Sequence, residues 1–304
     1  MNVVLIGLGS IGRKHTQALR TIAPSSRISA LRSSNSSGSD EGVDNIYSWE
    51  DVPADTDFFV VSNPTCRHLE TLQELAAFGK PVFIEKPALM SLDGADELIE
   101  AYKAKSILTY TACNLRFHPV IRWAKENLKN LNIYEVSAYS GSYLPDWRKN
   151  IDYRQNYSAI AAQGGGVHLD LIHEIDYLTY LFGMPEKSQH YLSRVSSLEI
   201  DSIDSAMYWL SYPKFTAIVT LNYFRRQPKR VVEIVTDTDV LTLDIMNSKV
   251  ENSAGELLFS DSGGVLKTYE YQMQYFIDAI KEGYTPMNTL EEAINTLRVS
   301  LGRW

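Results

Sequence analysis

Cysteine is nearly absent: the 304 residues include only Cys66 and Cys113. Two thiols exclude a disulfide framework and read as inert thiols in a reducing compartment. Long apolar runs are missing too. None approaches the ~20 residues of a membrane span, and the opening MNVVLIGLGSIG lacks the basic region of a secretory signal. A cytoplasmic protein with no membrane partner is the expectation. Positive charge is in deficit: 29 Lys and Arg stand against 37 Asp and Glu, a formal charge of −8. A nucleic-acid binder needs a basic face to neutralise phosphates, so this balance argues against one. Apolar content of 44% and charged content of 22% are ordinary for a globular protein, and the length suits two domains that each bury a core.

The chain opens on Val3-Val4-Leu5-Ile6, a continuous apolar run of the kind that a parallel strand buried on both faces requires. It runs directly into Gly7-Leu8-Gly9-Ser10-Ile11-Gly12 and then a helix expected over 11–22. GxGxxG between a strand and a helix is a dinucleotide-binding context. The first glycine allows the tight turn, the second lets the backbone approach the pyrophosphate, and the third lets helix and strand pack closely. Ser10 and Ile11 sit where the helix N-terminus offers its N–H groups to phosphate. The second strand, 27–31, ends in Arg32-Ser33-Ser34, without the acid that would hold a ribose 2′-hydroxyl. Arg32 and its hydroxyl neighbours suit a 2′-phosphate, so NADP is favoured and NAD remains possible. Residues 35–40 form a short polar loop.

Strand 57–62 ends at Asn63-Pro64, and a helix is expected over 67–78. Strand 82–84 delivers Glu85-Lys86-Pro87 to the carboxyl edge of the sheet, where open α/β sheets bind ligands. Lys86 there can reach cofactor and substrate together. A helix over 92–105 and a strand over 107–111 complete a doubly wound unit.

Gly164 to Gly183 combines three leading glycines with Asp170, His173 and Asp176 at steps of three, above an apolar stripe of Leu171, Ile175, Leu178 and Leu181. One continuous helix puts each acid beside the imidazole, and a carboxylate beside an imidazole fixes its tautomer and stabilises its protonated form. Before it, residues 143–164 gather Tyr143, Trp147, Arg148, Tyr153, Arg154 and Tyr157. This loop reads equally as anchoring aromatics or as a substrate wall that stacks on sugar rings and pairs with anions. After it, segments 188–195, 205–212, 215–223, 230–236 and 239–245 have strand character, with connections that suit antiparallel hairpins. His168, Asp170, His173 and Glu174 are not read as a metal set.

The glycine loop, Asn63-Pro64-Thr65-Cys66-Arg67-His68, the run from Gly79 to Pro87, Cys113-Asn114-Leu115-Arg116-Phe117-His118-Pro119 and the Gly164–Asp176 stretch together resemble the glucose–fructose oxidoreductase / inositol dehydrogenase / rhizopine catabolism protein family. The resemblance covers essentially the whole chain. It implies an N-terminal Rossmann domain over 1–118 and a C-terminal α+β domain with a mostly antiparallel sheet over 119–304, whose last helix packs back on the first. It implies hydride transfer between a nicotinamide and a carbinol carbon of a sugar, sugar acid, inositol or nucleotide-linked sugar. His173 would be the general base, Asp170 its orienting partner or a hydroxyl ligand, and Lys86 the hydrogen-bond donor to the reacting oxygen. Asn63, Pro64, His68 and Glu85 would lie on the cofactor side, with Asn114 and the Trp147–Arg154 loop on the substrate side. Assembly as a homodimer or homotetramer through the C-terminal sheet is implied. In many family members the acid precedes the histidine by four residues, whereas Asp170 precedes His173 by three; this leaves Asp176 as a rival partner. Three other readings stay open: redox-assisted bond cleavage with transiently used NAD, a non-catalytic dinucleotide-binding regulator, and a reductase of a non-sugar substrate such as a tetrapyrrole or imine.

Overall fold

A computed structural model describes residues 1–34, 38, 40–262, 265 and 267–304; most of the polar loop at 35–40 lies outside them. The chain divides into two compact units, Met1–Asn114 with Leu266–Ile294, and Leu115–Val265 with Asn295–Trp304.

The first unit holds a six-stranded parallel sheet of β1 (Asn2–Ile6), β2 (Arg27–Leu31), β3 (Asp44–Ile46), β4 (Phe58–Val61), β5 (Val82–Ile84) and β6 (Thr109–Thr111). Their order is β3-β2-β1-β4-β5-β6, which is doubly wound around β1. Helices α1 (Ser10–Ile22), α2 (His68–Phe78) and α3 (Ala95–Ala104) connect the strands. The central strands are apolar throughout because helices cover both faces: Val3–Leu5, Phe58–Val61 and Val82–Ile84 are almost wholly buried. Burial of each such side chain contributes roughly 1.5–3 kcal/mol. A late helix, α7 (Lys267–Glu282), returns to this unit, where Phe276 meets Phe58 and Phe83 edge-on at 5.4 and 5.6 Å. The first unit therefore ends at Asn114 and regains a helix from near the end of the chain, instead of running to 118.

The second unit opens with α4 (Pro119–Asn127), capped by His118, whose Nδ1 accepts from Val120 N–H. Its eight-stranded sheet comprises β7 (Ile133–Tyr143), β8 (Lys187–Ser193), β9 (Ser205–Ser211), β10 (Thr216–Asn222), β11 (Phe224–Thr236), β12 (Val240–Asp244), β13 (Lys249–Glu251) and β14 (Leu257–Ser260). The pairings are antiparallel except between β7 and β10. Alternation on β7, β9 and β10 sends Val136, Ala138, Tyr208, Ala217 and Val219 into one core, against α4 and the glycine-led helices. The last helix, α8 (Leu290–Ser300), starts in the first unit and ends in the second.

The Gly164–Gly183 segment is not one helix. It is α5 (Val167–Asp170), then a break at Leu171–Ile172, then α6 (His173–Phe182). Leu171 at φ −100°, ψ 32° leaves helical geometry between the acid and the histidine.

Candidate active site

In the first unit, the turn after β1 depends on Gly7. Its φ is +86°, and a Cβ there would lie 2.9 Å from the Asn63 Cα. Gly9, by contrast, faces open space. Helix α1 then begins with no side chain capping its first N–H groups. An uncapped helix N-terminus beside an open glycine is a ready anion site. A cleft of about 710 Å³ adjoins it, lined by Gly7, Arg32, Ser33, Asn63, Pro64 and Arg67 among others. Asn63 donates to Thr71 Oγ1 at 2.7 Å, while its buried Oδ1 meets no partner among the described residues. These features fit a dinucleotide.

Arg32 lies at the end of β2, as the sequence requires, but its guanidinium is held. Nη1 donates to Asn45 Oδ1 at 3.2 Å, with Asp40 at 4.0 Å. Asp40 is chiefly engaged by Arg13 at 2.9 Å, and that contact holds its carboxyl below the usual range. The carboxylates on the cleft wall, Glu70 and Glu74, come from α2 and not from the end of β2.

Strand β5 delivers Glu85 and Lys86. Glu85 is buried; one oxygen is 2.6 Å from His15 Nε2 and the other accepts the Lys86 N–H at 3.1 Å. His68 is buried with both ring nitrogens at backbone carbonyls: Nδ1 is 3.1 Å from Pro87 O and from Ala88 O, and Nε2 is 3.0 Å from Asn63 O. Burial lowers its pKa, and these carbonyls oppose the shift. His68 thus ties the Asn63 loop to the segment after Lys86. Asn114 is buried and donates to Thr268 Oγ1 at 2.7 Å.

In the second unit, Gly165 fits where no side chain would. A Cβ there would lie 2.2 Å from the Tyr157 carbonyl. The loop before α5 therefore folds tightly against the loop that carries the aromatic and basic residues. Asp170 is buried and accepts the Tyr223 hydroxyl at 2.5 Å. Burial first, then the charge of Asp170 and this hydrogen bond, push the Tyr223 hydroxyl well above its usual pKa, so it stays a donor. Burial, and then the charge of Asp170, raise the pKa of the Tyr157 hydroxyl as well. Trp147 packs edge-on against Tyr223 at 5.2 Å, and Arg148 lies over Tyr157 at 5.7 Å. Tyr153 and Arg154 turn elsewhere: Arg154 pairs with Asp152 at 2.9 Å and Glu199 at 3.1 Å, and the Tyr153 hydroxyl accepts from Glu199 N–H.

His173 is the first residue of α6 and is 9% exposed. The rival acid, Asp176, is committed to Arg116, which reaches it through Nε at 3.0 Å and Nη2 at 2.7 Å, both residues being buried. His168 is held neutral, its pKa pushed down to about 4 by burial. Among the described residues, no three His, Cys, Asp or Glu side chains gather as metal ligands.

Three members of these clusters are not signalled by the sequence reading: His15, Tyr223 and Arg230, whose guanidinium meets the fully buried Glu174 at 2.6 Å. His15 could be found only from its place three residues after the third glycine, one turn into α1.

Two family models match the chain. Residues 1–112 fit the GFO/IDH/MocA oxidoreductase family with an NAD-binding Rossmann fold, and residues 121–241 fit the GFO/IDH/MocA C-terminal domain. Among curated proteins, the chain is 27% identical over 229 residues to the uncharacterized oxidoreductase YrbE of Bacillus subtilis, across 68% of this chain and 62% of that one. That match spans less than two thirds of the relative. The chain is 20% identical over 319 residues to the scyllo-inositol 2-dehydrogenase (NAD(+)) of the same species, across 98% and 91%. A solved structure of UDP-N-acetylglucosamine 3-dehydrogenase GnnA from Acidithiobacillus ferrooxidans shares the fold, with a TM-score of 0.80 at 18% identity over 99% of this chain and 96% of that one.

Proposed function

The chain belongs to the GFO/IDH/MocA family of oxidoreductases with an NAD-binding Rossmann fold, and on that premise we propose that it is an NAD(P)-dependent dehydrogenase or reductase acting on a carbinol or carbonyl carbon of a sugar, sugar acid, inositol or nucleotide-linked sugar. Two features, one in each unit, support the reading: Lys86 follows β5 in the unit that carries the open glycine loop, and Asp170, three residues before His173, is buried and accepts the Tyr223 hydroxyl.

When bound, the dinucleotide supplies the hydride acceptor or donor at its nicotinamide. His173 takes the hydroxyl proton as general base, since alcohol oxidation releases a proton with the hydride. Lys86 donates a hydrogen bond to the reacting oxygen and stabilises its alkoxide character. Asp170, fixed by Tyr223, orients His173 or accepts from a substrate hydroxyl. Trp147 and Arg148 form the substrate wall.

NADP is the proposed cofactor, because Arg32 and Ser33 line the cleft where NAD sites place an acid. Arg32→Ala then weakens NADPH binding about tenfold or more and spares NADH, read by fluorescence titration. The proposed assembly is a homodimer or homotetramer through the open face of the second unit's sheet, where Tyr191 (63% exposed), Trp209 (54%), Met207 (48%) and Ile218 (42%) stand on adjacent strands. Light scattering of the purified protein tests it, and a monomer would contradict it.

The enzymatic reading is tested by assaying nicotinamide reduction with myo-inositol, scyllo-inositol, gluconate and UDP-N-acetylglucosamine. Turnover with one of them supports it. Binding of NAD(H) and NADP(H) without turnover on any of them counts against it.

A further inference from the structure

The open face of the second unit's sheet carries charge of opposite sign at its two ends. Cross-strand partners share a face, so the register divides that face into rows. One row runs Tyr191, Met207, Thr220, Tyr139 and Val231, from β8 to β11. Acids stand on one side of it. Glu233 is two residues from Val231 and Glu135 four residues from Tyr139, and both are exposed. Cations stand on the other side. Lys229 is two residues from Val231 and exposed. Arg226 lies over the Tyr143 ring at 3.6 Å, and Tyr143 is four residues from Tyr139.

Among the described residues, Glu135, Glu233, Arg226 and Lys229 form no ion pair within the chain. Their neighbour Arg225 is engaged by the Tyr139 ring at 5.1 Å and by the Gln227 carbonyl at 2.7 Å. The same face exposes Trp209, Met207 and Ile218, an apolar patch that calls for a partner. Charges at the rim of a covered patch weaken it unless the partner brings the opposite sign. This face therefore suits an occupant that is acidic at one end and basic at the other, which is the pattern of the face itself.

Two copies can stack on this face about a two-fold axis in either of two directions. An axis along the strands sets each row on the same row. The row of Lys229 holds Ser193, Ser205, Asn222 and Gly141, with no acid. The row of Glu233 holds Gln189, Trp209, Ile218 and Ser137, with no cation. Both charges stay unpaired. An axis across the strands, over the Tyr139 row, exchanges the ends. Glu233 then faces Lys229 of the second copy, and Glu135 faces Arg226 over Tyr143 of the second copy. One axis position serves both pairs, because each acid and its cation are equally far from that row, by two residues on β11 and by four on β7. Packed sheets lie about 10 Å apart, within the combined reach of a long cation and a glutamate.

We propose that the assembly is closed by a two-fold axis that crosses the strands over the Tyr139 row, pairing Glu233 with Lys229 and Glu135 with Arg226 between copies. The inference rests on the reading that this face joins two copies of the chain. Each contact then occurs twice, as an isologous interface requires.

The test measures the dissociation constant of the assembly by analytical ultracentrifugation of full-length protein, with folding checked by circular dichroism. Lys229→Glu and Glu233→Lys are each expected to raise it about tenfold or more, since each places like charges opposite one another twice. The double variant, with the charges exchanged, is expected to return to within about threefold of the wild type. Cross-linking by a short bismaleimide gives a second readout, in a Cys66→Ser background because Cys66 is exposed. Lys229→Cys with Glu233→Cys on one chain is expected to give a covalent dimer, and either cysteine alone is not. Single reversals without effect, a double variant that stays weakened, or a covalent dimer from Lys229→Cys alone overturns the proposed axis. Trp209→Glu separates this from the reading beneath it. If the wild type is a monomer, or Trp209→Glu leaves the assembly intact, the face is not the interface and both fall. If Trp209→Glu disperses the assembly while the charge variants behave as wild type, the axis alone falls.

Discussion

The Tyr223 hydroxyl donates to Asp170 Oδ2 at 2.5 Å, and both residues are buried. Tyr223 follows β10 directly, so the sheet of the second unit sets where the carboxylate points. A hydrogen bond to a charged group contributes about 1.5–3 kcal/mol. Tyr223→Phe is therefore expected to lower kcat about 10- to 100-fold, with NADPH affinity kept. Steady-state kinetics beside a fluorescence titration checks this. An unchanged kcat would show that the hydroxyl does not serve the reaction.

The ion pair between Arg116 and Asp176 predicts a stability effect without a direct role in chemistry. Both partners are buried, and Arg116 bonds the carboxylate through two nitrogens. Removing one partner leaves a buried charge uncompensated, at a cost of about 3–5 kcal/mol. Arg116→Met should lower the unfolding free energy from urea titration by that amount, whereas Arg116→Met with Asp176→Leu should lower it much less. Equal losses in the single and double variants would contradict the pairing argument.

Acid sensitivity follows from two histidines. Burial pushes His118 and His168 down to about 4, with Arg230 adding to the effect at His118. Unfolded, each titrates near 6.5. The unfolded chain thus binds more protons between those values, and stability rises with pH there. The contribution is complete above about 6.5 and lost as pH falls toward 4, at about 1.4 kcal/mol per pH unit for each histidine. Urea unfolding at pH 7, 6 and 5 should show this slope, and His168→Asn should flatten it. A midpoint independent of pH over that range would contradict the assignment of neutral buried rings.

Much of the first unit was legible because its central strands are runs of apolar residues ended by glycine, asparagine or a charged pair. Strand β3 was not, since Asp44-Asn45-Ile46 has neither an apolar run nor alternation. In the second unit, period-two segments marked β9, β10 and β12 closely, whereas β11 begins six residues before the expected 230, through Phe224–Lys229, a stretch of charged residues and a proline without alternation. Nothing local marked the parallel pairing of β7 with β10, which joins residues about 80 apart. The break between α5 and α6 was hidden for a similar reason. The apolar stripe continues through Leu171 and Ile175, so periodicity reads one helix where the backbone makes two. For the site, motif order located the candidates Lys86, Asp170 and His173. The contacts of Asp170 with Tyr223 and of Glu85 with His15 depend on packing between distant segments, which spacing does not encode.

The measurement that bears most directly on the central claim is the rate of nicotinamide reduction by His173→Ala against the wild-type protein, on whichever polyol or sugar derivative the wild type turns over, with NADPH and NADH affinities measured on the same samples. Loss of a general base predicts a fall in kcat of about 10²-fold or more with dinucleotide affinity nearly unchanged. Near-normal turnover by His173→Ala would contradict the account, and the proton would then have to leave through another group.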